Sequence, residues 1–124
     1  MEFSKPKNIF IVDDDEMFAE ALSDYLTRKA AHKISIFLTG EDCMQHLIEN
    51  PDVVILDYYM NTVKKDAANG LQVLEAIQNQ LPGTRFIMLS SQESYGIAAQ
   101  TIQKGAEQYV IKDGDAFQKI ADLL

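Results

Sequence analysis

Two short apolar runs each stop at aspartate. Ile9-Phe10-Ile11-Val12 leads into Asp13-Asp14-Asp15, and Val53-Val54-Ile55-Leu56 leads into Asp57. Runs of this length, rich in β-branched and aromatic residues, are too short for helices and too continuous for half-exposed strands. They suit parallel strands buried on both faces. Open parallel sheets bind ligands at the carboxyl ends of their strands, so the aspartates fall where the mouth of such a fold is expected. Like charges gathered there raise one another's pKa unless a cation compensates, and an all-oxygen ligand set favours a hard ion such as Mg2+. The first expectation is an acidic, metal-binding site containing a carboxylate able to act as nucleophile.

The rest of the chain alternates regularly. Asn8 to Val12 reads as strand one, and Met17, Phe18, Ala21, Leu22, Tyr25 and Leu26 recur at helical spacing, predicting helix one over Glu16 to Ala31. Lys33 to Leu38 reads as an edge strand. Thr39 followed by Asp42 resembles a capping box and opens helix two, where Cys43, Met44, Leu47 and Ile48 share a face, with Asn50-Pro51 as the stop. Asp52 to Leu56 is strand three. Helix three opens at Gly70-Leu71, with Leu71, Leu74, Ile77 and Leu81 inward, and turns at Pro82-Gly83. Arg85 to Leu89 is strand four, Glu93 to Lys104 is helix four with its stop at Gly105, Gln108 to Ile111 is strand five, and helix five starts at Asp115. Five β/α units make an α/β three-layer sandwich in one domain over residues 1–124. Thr62 to Asn69 is the long, polar, irregular stretch.

Composition narrows the function classes. A chain of 124 residues, 47% hydrophobic, can bury about two thirds of its unfolded surface in one core. The apolar runs fall far short of the roughly 20 residues a membrane span needs, and residues 1–8 hold no signal-peptide apolar segment, so a cytoplasmic protein without membrane contact is expected. Cys43, the single cysteine, excludes an internal disulfide and reads as a buried small hydrophobe. His32 and His46 read as surface or boundary residues, and the methionines as packing. A net charge of -8 argues against direct nucleic-acid binding by this chain, since phosphate contacts need a basic patch.

Beyond the two aspartate clusters, Ser90 closes Ile87-Met88-Leu89-Ser90 and Lys112 follows Tyr109-Val110-Ile111. Each has a plainer explanation alone: Asp13 to Asp15 as a solvated helix start, Ser90 as a cap, Lys112 as a loop lysine. Together, in order and each at a strand's carboxyl end, they make a site. On these residues the whole chain resembles a response-regulator receiver domain of two-component signalling, of the chemotaxis-regulator type. The resemblance implies the flavodoxin-like strand order 2-1-3-4-5. It implies that Asp57 is a phospho-acceptor attacking phosphorus carried on a histidine, and that Asp14, Asp57 and the backbone carbonyl of Tyr59 hold Mg2+ (or Mn2+), with Asp13 acting mainly through a water. It gives Lys112 the part of a fixed cation on the opposite side, Ser90 that of a hydroxyl donor to the phosphoryl group, and Tyr109 that of a switch aromatic. It implies a phospho-acceptor protein rather than an enzyme. The partners it implies are a sensor histidine kinase or a histidine phosphotransfer protein, an output domain or protein downstream, and a second phosphorylated copy of the chain. Asp15 is expected to cap helix one.

Three features depart from the family pattern. Asp113, not proline, follows Lys112, and a trans peptide is expected there. Met60-Asn61 stands where receivers usually carry Met-Pro, and the stretch to Asn69-Gly70 is longer than usual. Helix five ends at Leu124, shorter than in most receivers, as expected of a piece of a longer regulator. Three rivals fit less well. The haloacid dehalogenase type shares an aspartate-rich start but wants Thr or Val where Met17 stands. A phosphorylation-independent pseudo-receiver usually lacks the acceptor, acid or lysine, and a flavodoxin needs a Gly- and Thr-rich first turn where this one is acidic.

Overall fold

The computed structural model describes residues 5–60 and 68–124. Its elements are β1 (Asn8–Val12), α1 (Glu16–Lys29), β2 (Lys33–Phe37), α2 (Gly40–Met44), a 3-10 turn (Leu47–Glu49), β3 (Val53–Asp57), α3 (Gly70–Gln80), β4 (Arg85–Ser90), α4 (Tyr95–Lys104), β5 (Ala106–Ile111) and α5 (Ala116–Leu123). The strands form one parallel sheet in the order β2-β1-β3-β4-β5. This is the doubly wound arrangement expected, and β1, β3 and β4 at its centre are the continuous apolar runs.

Because strand side chains alternate, each run supplies both faces. Phe10, Val12, Val54, Leu56, Phe86 and Met88 face α3, meeting Val73, Leu74 and Ile77, with Cys43 of α2 in the same cluster. Ile9, Ile11, Val53, Ile55, Ile87 and Leu89 face the other way, meeting Ala19, Leu22 and Leu26 of α1 and Ala116 and Ile120 of α5. No helix among the described residues is long and apolar enough to cross a membrane.

The caps are largely those the sequence signals. Asp15 accepts from Phe18 N at the start of α1, and Thr39 accepts from Asp42 N at the start of α2. Gly105 ends α4 with φ of +126°, a conformation that side-chain-bearing residues rarely adopt.

Several boundaries and faces differ from the sequence reading. Helix one ends at Lys29 because Ala30 is extended, and its inward stripe is Ala19, Leu22 and Leu26. Met17, expected in the stripe, is 83% exposed: it lies in the first turn, two residues out of phase with Ala19. Helix two stops at Met44, and the 3-10 turn that follows rotates Ile48 outward to 90% exposure instead of onto the face of Cys43. A 3-10 turn has three residues per turn, so the helical phase used for the expectation is lost there. Helices four and five start later than expected, at Tyr95 and Ala116, with Ser94 capping the former. Strand three extends through Asp57, so the aspartate is its last residue. His32 is buried rather than superficial, its Nδ1 accepting from Lys7 N at 3.0 Å, whereas His46 is exposed and pairs with Glu49. The polar stretch from Thr62 lies, up to residue 67, outside the described residues.

Candidate phospho-acceptor site

Asp13 follows β1, Asp57 ends β3, Ser90 ends β4 and Lys112 follows β5, so the sheet register itself assembles them. Asp57 lies opposite Leu89 on β4, which puts Ser90 one step further out on the neighbouring strand. Ladder-type bonds continue past the strands: Asp13 N donates to Phe37 O (3.0 Å), Tyr58 N to Leu89 O (2.8 Å) and Lys112 N to Ser90 O (2.8 Å). These fix the backbones beneath the functional side chains.

The carboxylates of Asp13, Asp14 and Asp57 converge, each offering an oxygen within 4.8 Å of the others. Asp13 and Asp57 are buried. Burial, then the charge of Asp13, pushes the Asp57 carboxyl up to about 8, with Lys112 pulling the other way. Burial likewise raises Asp13 against the pull of Lys112 and of the Asp15 N–H, which donates to Oδ1 at 2.9 Å. Three hard oxygen donors at this separation, two of them made reluctant to ionise by burial, fit a small divalent cation. The carbonyl that the resemblance adds belongs to Tyr59, two residues past the end of the strand.

Lys112 enters the cluster itself rather than standing opposite it. Its Nζ is 2.7 Å from Asp13 Oδ2 and 3.6 Å from Asp57 Oδ1, with the side chain only 13% exposed. Asp13 holds the ammonium because it is the nearest anion. The Lys112–Asp113 peptide is trans, as the missing proline led one to expect. Asp113 makes a local turn in which its Oδ1 accepts from Asp115 N at 2.9 Å.

Ser90 and Tyr109 meet at one acceptor. The Ser90 hydroxyl donates to Gln92 O at 3.0 Å while its oxygen accepts from Gln92 N, and the Tyr109 phenol donates to the same Gln92 O at 2.9 Å. Tyr109 is half-buried, and burial raises its phenol above the ordinary value despite the neighbouring Ser90 hydroxyl.

One residue that the sequence reading takes only as the start of helix three shapes the site. A Cβ on Gly70 would stand 2.6 Å from the Asp57 carbonyl oxygen, 2.8 Å from Met88 Sδ and 2.9 Å from Tyr58 Cα. Gly70 N also donates to Tyr58 O at 2.9 Å. The helix thus rests on the backbone of the strand that ends at Asp57, which no side chain would allow. Asn69 and Gln72 form a reciprocal capping box beside it, a signal present in the sequence as Asn-x-x-Gln.

A family model described as the response regulator receiver domain matches residues 9–123. The chain belongs to the response regulator receiver domain family. This receiver is 26% identical over 110 residues to the transcriptional regulatory protein LnrK of Bacillus subtilis, covering 87% of this chain and 48% of LnrK. It is 31% identical to the probable C4-dicarboxylate response regulator DctR of the same species, covering 87% of this chain and 46% of DctR. The BeF3-activated receiver domain of DrrB, a Thermotoga maritima protein, superposes with a TM-score of 0.81 at 26% identity, covering 96% of this chain and 95% of that one. The signal receiver domain of a LuxO repressor protein from Vibrio parahaemolyticus gives 0.80 at 26% identity, with 96% and 88% covered. The receiver spans about half the length of the curated relatives it matches. Several of these are transcriptional regulators by name, so the expectation of no nucleic-acid contact does not carry to such proteins: the net charge speaks only for the acidic residues of this chain.

Proposed function

We propose that this receiver accepts a phosphoryl group on Asp57 from the phosphohistidine of a sensor histidine kinase or a histidine phosphotransfer protein. The observation that carries the reading is the buried Asp57 carboxylate, ending a central strand with Asp13 and Asp14 beside it and the Lys112 ammonium 3.6 Å away. An Asp57 oxygen attacks phosphorus, the P–N bond breaks, and the imidazole leaves with the electron pair and takes up a proton. Asp14, Asp57 and the Tyr59 carbonyl, with Asp13 in support, would hold Mg2+ or Mn2+. When bound, the ion supplies positive charge against the carboxylates and the phosphoryl oxygens.

The residues of the chain do the rest. Lys112 moves its hydrogen bonds from Asp13 to a phosphoryl oxygen, a charge-assisted contact stronger than a neutral one. Ser90 turns its hydroxyl from Gln92 O to another phosphoryl oxygen. The move of Ser90 toward Asp57 frees space for the Tyr109 ring to leave Gln92 O and turn inward, which changes the surface of α4, β5 and α5. That surface addresses an output domain or protein, or a second phosphorylated copy. The protein works as a cytoplasmic phospho-acceptor switch rather than a turnover enzyme, folding as one receiver domain over residues 1–124.

Intact-protein mass spectrometry after treatment with acetyl phosphate and Mg2+ tests the reading. Wild type should gain one phosphoryl group and Asp57→Ala none. Equal labelling of both proteins, or of neither, refutes it.

A further inference from the structure

Lys112 has a contact that the chemistry above leaves unused. Its Nζ lies 4.5 Å from the centroid of the Phe18 ring, so the ammonium sits between the ring and the oxygens of Asp13 and Asp57. Phe18 is braced from behind. Phe117 of α5 meets it edge to face, centroids 5.4 Å apart at 64°, and Phe117 packs in turn on Tyr25 at 5.6 Å. The Tyr25 hydroxyl donates to Gln118 Oε1 at 2.6 Å, tying the aromatic row to α5.

The chemistry of the lysine explains why a ring belongs there. A lysine is a point charge on a flexible four-carbon stem, and holding its end in one place costs rotamer entropy. The turn at Asp113 fixes the backbone, not the tip. A saturated side chain pressed against the ammonium would strip its water and offer nothing back, whereas the negative face of an aromatic ring attracts it, most strongly where water is scarce. Asp13 alone would hold the ammonium in its resting pairing. A ring that kept its contact while the ammonium exchanged one oxygen for another would act as a pivot.

We propose that Phe18 is a positioning residue for phosphoryl transfer, its ring, braced by Phe117, keeping the Lys112 ammonium within reach of Asp57. The inference rests on Asp57 being the acceptor, and the experiment separates the two. The initial rate of phosphorylation by acetyl phosphate, at saturating Mg2+, is measured by mass spectrometry for wild type, Phe18→Leu and Phe18→Tyr. Proton resonances of the Lys112 ε-methylene are recorded for each unphosphorylated protein.

The leucine variant should be slower by about three- to thirtyfold, the range a cation–π contact spans from exposed to desolvated sites. The tyrosine variant, which keeps the ring face, should return to within about twofold of wild type. The ε-methylene protons, shielded by the ring in wild type and Phe18→Tyr, should move to ordinary lysine positions in Phe18→Leu. Wild type that takes up no phosphoryl group sinks the acceptor reading. Wild type that does, with Phe18→Leu equally fast or with Lys112 resonances alike in all three proteins, sinks the inference alone. Should leucine prevent folding, Phe117→Leu, which removes the brace and leaves the ring, should give a smaller loss and a smaller resonance shift; no change in either is equally fatal.

Discussion

Replacing Asp57 by asparagine should stabilise the metal-free protein at neutral pH, and the gain should shrink in acid. The Asp57 carboxyl stands at about 8 against 3.8 when unperturbed, burial being the largest cause and Asp13 the next. A carboxyl raised in this way binds its proton more tightly folded than unfolded. Its contribution is therefore fully present below the unfolded value and is lost as pH climbs through the folded one. At 1.36 kcal/mol per pKa unit, the loss accumulated by neutral pH is about 4 kcal/mol, an order-of-magnitude figure. Asparagine has the same shape and no proton to lose, so Asp57→Asn escapes that loss. The assay is urea unfolding of both proteins in a chelator at several pH values from weakly acidic to weakly alkaline. The stability gap in favour of asparagine should widen by about 3 to 4 kcal/mol between pH 5 and pH 8. Taking the difference cancels His32, whose lowered pKa works in the opposite sense, removing stability from both proteins as pH falls. Added Mg2+ at about a hundred times its dissociation constant should return about 2.7 kcal/mol to wild type and little to the variant. A gap that stays constant with pH, or that narrows as pH rises, refutes the electrostatic account.

Asp14→Asn should abolish phosphorylation by acetyl phosphate yet unfold at no lower urea concentration than wild type in a chelator, because it removes one of the repelling charges around Asp57; a marked loss of metal-free stability would contradict this. Tyr59→Asn should speed loss of the acyl phosphate severalfold, since the half-buried ring, packed edge-on against Tyr58 at 4.8 Å, follows the acceptor by two residues and is expected to cover the approach of water; an unchanged or slower decay rate rules out shielding. Gly70→Ala should cost about 1 to 3 kcal/mol by overpacking against the Asp57 carbonyl and slow phosphorylation as well, and a neutral result in thermal unfolding would show that the helix can shift freely. Crystals with and without beryllofluoride should differ in the Tyr109 side chain; identical rotamers would remove it from the relay.

The sheet was legible because its central strands are buried on both sides. Ile9 to Val12 and Val53 to Leu56 have no polar interruption, which leaves a parallel core as the arrangement that hides them. Asp13 and Asp57 follow from that, since a residue at or just past the end of a buried strand has its position set by the strand, whereas Lys112 follows the half-exposed edge strand β5 and is legible only in the joint pattern. Ser90 was placed the same way, but its bond to Gln92 was not, because a hydroxyl chooses among local acceptors by fractions of an ångström. Helix faces were less legible. Met17 and Ile48 are apolar and sit at plausible spacings, yet the phase of α1 is set by Ala19, too small to stand out, and that of α2 is broken by a turn with another periodicity. Gly70 reads in the sequence only as the start of helix three: its importance lies in the backbone it touches, which only the fold brings near.

The described chain on either side of residues 61–67 is firmly held. Before them, Met60 is packed into the core at 1% exposure. After them, Ala68 N donates to Glu41 Oε2 at 3.2 Å, Asn69 caps α3, and Gly70 is seated on the acceptor strand. These contacts tie the start of α3 both to α2, through Glu41, and to the strand that ends at Asp57. A displacement of the start of α3 is therefore passed directly to the backbone of the strand that ends at Asp57.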